Sequence, residues 1–100
     1  MEMKNPFGAI TLLWTESFSE KDVWIFDKIR ELGFTAVDIA VGDPERFPVA
    51  ETAAALKRTG LLPVLTKALP TDCNPISPDA KQRAAAVDYL RRIVDIADAI

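Results

Sequence analysis

The chain has no histidine, a single cysteine and four glycines. Without histidine it lacks the commonest metal ligand and the usual general base near neutral pH. Any chemistry these residues carry proceeds without imidazole. The lone Cys73 cannot form an intrachain disulfide, and no histidine is present to take its proton, so a catalytic thiolate is not expected. No stretch approaches the roughly 18 consecutive apolar residues of a membrane span. The first seven residues carry one lysine and no apolar run of signal-peptide length. A reduced, cytoplasmic setting follows from these absences. Basic residues are neither abundant nor segregated, with 12 Lys and Arg against 15 Asp and Glu for a net charge of −3. No nucleic-acid or membrane partner is expected from that balance.

What is present is a globular composition, 49% hydrophobic and 27% charged over 100 residues, enough for one folding unit and no more. Phe7-Gly8-Ala9-Ile10-Thr11-Leu12-Leu13-Trp14 is apolar on both faces, the pattern of a strand covered on both sides in a parallel sheet. Ser19 then caps a helix over residues 19–32, with Glu20 and Asp22 in its first turn and Gly33 as its stop. The same grammar restarts with a strand at 34–41 and a loop at 42–48 punctuated by Gly42, Pro44 and Pro48. An alanine-rich helix at 49–59 follows, burying Val49, Ala53 and Leu56 and ending at Gly60. The third strand, 61–66, contains Pro63, which demotes it because proline cannot donate to a central ladder. After a loop at 67–76, Ser77-Pro78-Asp79 reads as N-cap, first helical position and first-turn acid. The last helix runs to the end of the chain with Ala84, Val87, Leu90, Val94 and Ala97 on its buried face. Asp88 with Arg92, and Arg91 with Asp95, are spaced for exposed i,i+4 pairs.

Gly33 and Gly60 stand 27 residues apart, each followed at once by an apolar strand. Three β/α units of that length define parallel α/β architecture, and right-handed crossovers set the strands side by side with the helices on one face. No G-x-G-x-x-G turn follows Trp14, which disfavours a dinucleotide-binding sheet and favours a (β/α)₈ barrel. Such a barrel needs about 250 residues. Asp95 and Asp98 sit where a helix C-terminus disfavours acids, and nothing caps the helix at Ile100. The expectation is therefore that residues 1–100 are the N-terminal three β/α units of a single barrel domain.

In a parallel barrel, function collects at the C-terminal ends of the strands. Trp14 there either stacks on the apolar face of a sugar or plugs the barrel mouth. Glu16 reads as solvent-facing and Asp43, before a proline, as a turn former. Asp38 lies on a strand where an unpaired carboxylate is costly, so it meets either a polar pocket or an ion pair. Lys67 could clamp a phosphate or form a Schiff base. With Pro70 close by and no partner base, it reads as a solvated loop lysine. Asp72-Cys73-Asn74 lacks a second cluster for a metal, and Trp24 reads as packing or as a subunit contact.

Phe7-Gly8 through Trp14, Leu32-Gly33-Phe34 with Val37-Asp38-Ile39-Ala40, and Asn74-Pro75-Ile76-Ser77-Pro78-Asp79 with Arg83 and Ala84 together resemble the sugar isomerase/epimerase superfamily with the xylose-isomerase-like barrel. The likeness is greatest to ketose 3-epimerases of the D-tagatose and D-psicose type, over about residues 7–100. It implies a homo-oligomeric enzyme acting on a small sugar with a divalent Mn²⁺, Co²⁺ or Mg²⁺. In that family two glutamates, an aspartate and a histidine hold the metal, and the glutamates move a proton next to the ketose carbonyl. These belong to strands beyond the third, so no catalytic or metal-binding residue is expected within these 100, and no metal is bound by them alone. What carries over is pocket wall: Ile10, at the position of a substrate-contacting tyrosine in the D-psicose enzymes; Trp14; Phe18, at an aromatic position over the sugar; and Thr66 and Ala68, in a small-residue strand end. The departure at Ile10 removes a phenolic donor, so a different ketose, a sugar phosphate or hydroxypyruvate fits equally. A stand-alone, non-catalytic α/β module that binds or oligomerises through its bare sheet edges is the alternative of another class. An apurinic-site nuclease of the same superfamily needs a basic groove, which the net charge opposes.

Overall fold

Three short parallel strands alternate with three helices: β1 Gly8–Ile10, α1 Trp24–Glu31, β2 Ala36–Ala40, α2 Val49–Thr59, β3 Leu62–Thr66 and α3 Ala80–Ala99. The computed structural model describes residues 5–100, so the reading of the first four residues lies outside the described part. The strands lie in the order β1-β2-β3, all parallel, with Ile10 opposite Asp38 opposite Val64, and Ala40 opposite Thr66. This is the arrangement expected of the first β/α units of a barrel. Side chains alternate across a strand. Val37, Ile39 and Val41 therefore enter the core beside the helices with Ile25, Phe26 and Ile29, while Ala36, Asp38 and Ala40 face the opposite, concave side. Among the described residues no helix is long and apolar enough to cross a membrane.

The first strand is shorter than its apolar run suggests. Only Gly8–Ile10 pairs with β2, and Thr11–Leu13 curls into a 3₁₀ turn that leaves Leu12 52% and Leu13 69% exposed. The turn is built on Thr11, whose carbonyl accepts from the N–H groups of Trp14 and Thr15, each at 3.0 Å. In the parallel ladder the N–H of Ala36 meets the Phe7 carbonyl, and continuing that alternation would bring the Ala40 N–H to the Thr11 carbonyl. With that carbonyl committed to the turn, the Thr11 hydroxyl accepts from Ala40 N at 2.9 Å in its place. A fully buried side chain thus completes a ladder that the backbone has left.

The helix ends agree more closely with the sequence. The N–H and the hydroxyl of Ser19 both donate to Asp22 Oδ2, at 2.9 and 3.0 Å, although the first turn, Glu20–Asp22, is 3₁₀ and α1 proper starts at Trp24. Gly33 and Gly60 adopt φ of +95° and +71°, a backbone region that glycine enters without a Cβ penalty and that stops a helix. Helix α2 has the expected bounds, but Thr52, Ala55 and Leu56 are buried on it, with Val49 and Ala53 only partly so. Pro63 lies within β3 opposite Val37. The Leu62 N–H meets Thr35 of the preceding segment, so alternation turns the proline nitrogen to the far edge, where no bond to β2 is lost.

Helix α3 departs most from the expectation. Its cap is Asp79, whose Oδ1 accepts from Lys81 N at 2.9 Å, while the Ser77 hydroxyl accepts from Asp79 N at 3.1 Å. The helix therefore starts two residues later than the Ser77 cap would place it. Its buried face is also different: Ala86 and Ile96 are buried and Ile93 and Ile100 pack on the core, whereas Val87, Leu90 and Val94 are 47%, 43% and 65% exposed. Both stripes follow helical spacing and sit one residue, about 100°, apart. Periodicity alone cannot choose between two apolar stripes on one helix.

Because Thr11 is fully buried, Thr11→Val keeps the shape but strands the Ala40 N–H. The expected loss is about 1–3 kcal/mol of unfolding free energy, read from urea denaturation. An unchanged midpoint would mean that the hydroxyl does not carry this bond.

Candidate functional site

The concave face of the sheet opens as a depression of about 480 Å³ whose lining includes Gly8, Ile10, Ala36, Asp38, Leu62 and Val64. Ile10, the last residue of β1, stands level with Asp38 at the middle of β2. Thr66, the last residue of β3, stands one layer nearer the C-terminal ends and donates its hydroxyl to Asp38 Oδ1. Two of the residues expected at a pocket wall, Ile10 and Thr66, therefore flank one partly buried carboxylate. In sequence Asp38 meets either a polar pocket or an ion pair, and the described residues place no cation on it. Its place between Ala36 and Ala40, opposite in parity to Val37 and Ile39, is the signal that puts it on the concave face.

The other expected wall residues are placed differently. Trp14 follows the 3₁₀ turn, is partly buried and packs against the helix-side core. Ala68 is exposed, two residues beyond β3. Phe18 is a correction. It is 4% exposed, stacks on Phe26 with ring centroids 5.2 Å apart and meets Phe47 at 6.0 Å. An aromatic ring closed in by two others in the core belongs to packing and has no face to offer a ligand.

The loops at the strand ends are tied to one another. The Lys67 ammonium donates to the Gly42 carbonyl at 2.7 Å and lies 5.7 Å from the Tyr89 ring centroid, so it is a fastening between two loops where a solvated lysine was expected. Arg92 reaches Glu45 at 3.0 Å and covers Tyr89 at 5.6 Å, while Asp88 pairs with Arg91 at 3.6 Å. The expected Asp88–Arg92 pair gives way to a contact that joins α3 to the loop after β2. Asp43 forms a turn as expected, its Oδ1 accepting from Glu45 N at 2.9 Å, and Glu16 is exposed.

Cys73 is buried, and its thiol donates to Asp72 Oδ1 at 3.7 Å. Loss of solvent contact first, and the neighbouring Asp72 charge second, push the thiol above its ordinary value, with Arg92 opposing. A thiol held neutral is a poor nucleophile. Among the described residues no three His, Cys, Asp or Glu side chains converge where they could hold a metal ion.

Replacing Asp72 by Asn removes one of the upward pushes on Cys73, so the thiolate fraction at a given pH rises. Iodoacetamide alkylation of D72N at pH 8 is expected to run severalfold faster than in the parent. Equal rates would show that burial alone governs the thiol.

Solved structures similar to this one include D-allulose and D-psicose 3-epimerases. The D-allulose 3-epimerase of Methylomonas sp. superposes with a TM-score of 0.86 over 94% of this chain at 24% identity. The same enzyme in complex with D-allulose gives 0.85 at 23%. A D-psicose 3-epimerase in the presence of D-fructose gives 0.80 at 21% over 95% of this chain. At such identities the likeness shows the fold. The chain spans 33–34% of the length of those structures. Among curated proteins none matches by sequence. The sequence model of the xylose isomerase-like TIM barrel matches residues 26–100. With three parallel β/α units in barrel order and three-quarters of its sequence matched, the chain belongs to the xylose isomerase-like TIM-barrel family.

Proposed function

We propose that the complete protein is a sugar or sugar-phosphate isomerase/epimerase that moves a proton on the carbon next to a ketose carbonyl, through an enediolate. The observation that carries this reading is the superposition of nearly the whole chain on D-allulose 3-epimerases, with an apolar concave wall carrying a polar strand end where those folds open. General acid–base groups perform such a proton transfer. A divalent Mn²⁺, Co²⁺ or Mg²⁺ would supply Lewis-acid chemistry when bound. On this reading both lie outside these 100 residues.

The residues of this chain supply one wall. Ile10 on one side of Asp38 and Val64 on the other, with Ala36 below, offer apolar surface to the carbon face of a sugar and exclude water from it. Thr66 places a hydroxyl at the rim. Ala68, exposed beyond β3, and Trp14, packed on the helix-side core, stand outside this wall. Apolar lining with a few placed polar groups is the usual make-up of a small-molecule site. Because Ile10 brings no phenol, recognition of the sugar from this wall rests on Thr66 and its partner.

The test uses the full-length protein in D₂O with D-fructose, D-allulose or a ketose phosphate, read by NMR. The expected result is deuterium at the carbon next to the carbonyl, lost after chelation and restored by Mn²⁺, with none incorporated by residues 1–100 alone. A full-length protein that exchanges no ketose proton under any of these conditions contradicts the reading.

A further inference from the structure

Among the described residues the concave face is apolar except for Asp38 and Thr66. Ile10, Ala36, Ala40, Leu62 and Val64 surround the pair. The Thr66 hydroxyl donates to Asp38 Oδ1, which sets the carboxylate plane and leans it towards the C-terminal ends of the strands. Among the described residues Oδ2 has no hydrogen-bond donor and no cation pairs with the group. A carboxylate on an apolar wall requires a donor, because leaving it unpaired when the wall is covered costs several kcal/mol.

We infer that Asp38 is a specificity-determining residue, accepting a hydrogen bond through Oδ2 from one hydroxyl of the bound sugar, and that Thr66 is its positioning residue. The inference rests on the sugar-isomerase reading above and names how this wall distinguishes sugars. Three features favour a ligand hydroxyl as the donor. Asp38 lines the depression in which a ligand would lie, and Thr66 is bonded to it from the strand end. Thr66 occupies the strand end, where barrel sites open. One oxygen is already occupied, which fixes the direction of the other. A site built to hydrogen-bond a hydroxyl discriminates strongly against the analogue lacking it, since its own polar group is then left unpaired.

The experiment measures calorimetric binding of D-fructose and D-fructose 6-phosphate to the full-length protein, alongside mono-deoxy analogues of whichever binds. Charge-assisted hydrogen bonds set the scale, so Asp38→Asn is expected to raise Kd about ten- to a hundredfold. Thr66→Val is expected to raise it less, and Thr66→Ser to restore it. One deoxy analogue should bind the parent more weakly and be indifferent to Asp38→Asn. Parent-like affinity in Asp38→Asn, with a lowered melting temperature, would assign the carboxylate to a cation elsewhere in the chain and overturn the inference. A parent that binds ketose through Asp38 without exchanging its proton would leave this inference standing and refute the proposed activity. A parent that binds neither sugar overturns both.

Discussion

Everything this chain presents on its concave face depends on β2 being hydrogen-bonded along both edges. Strand β1 holds one edge and β3 the other, so the alternation of residues 36–41 is not free to slip. A slip of one residue would send Val37, Ile39 and Val41 to the concave side and Asp38 into the helix-side core. The core resists this. Val37 and Ile39 are fully buried beside Ile25, Phe26 and Ile29, and each such side chain contributes about 1.5–3 kcal/mol on burial. A carboxylate in that company would be prohibitively costly. The position of Asp38 is therefore a consequence of hydrophobic packing on the other side of the same strand.

The same strand explains why the edges look irregular. β1 is only three residues long, yet its ladder to β2 extends further because the Thr11 hydroxyl bonds the Ala40 amide. That exchange lets the chain turn away at Thr11, carry Trp14 onto the core and bring Phe18 between Phe26 and Phe47. On the β3 side, Lys67 closes onto the Gly42 carbonyl, and Arg92 closes onto Glu45. The loops at the strand ends are thus held by specific polar contacts, which is what a preformed wall requires.

The β/α order, the stops at Gly33 and Gly60, and the bounds of α2 were legible because each rests on local chemistry: backbone φ, capping and an alanine-rich run. The face of α3 was not, since Ala86, Ile93 and Ile96 compete with Val87, Leu90 and Val94 at the same spacing, and only tertiary docking decides between them. The true extent of β1 was hidden for a related reason: an apolar run does not reveal that a threonine in its middle will trade its carbonyl for its hydroxyl. At the site, Ile10 and Thr66 lie beside Asp38 on one face of the sheet, while Phe18 lies in the core. For Asp38 the parity with Ala36 and Ala40 is written in the sequence, but the bond to Thr66 joins two strands and no local spacing shows it.

On the proposed reading, the concave face of these three strands forms one wall of a sugar pocket, with Asp38 its polar anchor. A crystal structure of the full-length protein soaked with D-fructose tests it most directly. The account predicts the sugar against Ile10 and Thr66, with a hydroxyl within hydrogen-bond reach of Asp38 Oδ2. A sugar bound away from this face, or a protein cation seated on Asp38 in its place, would contradict it.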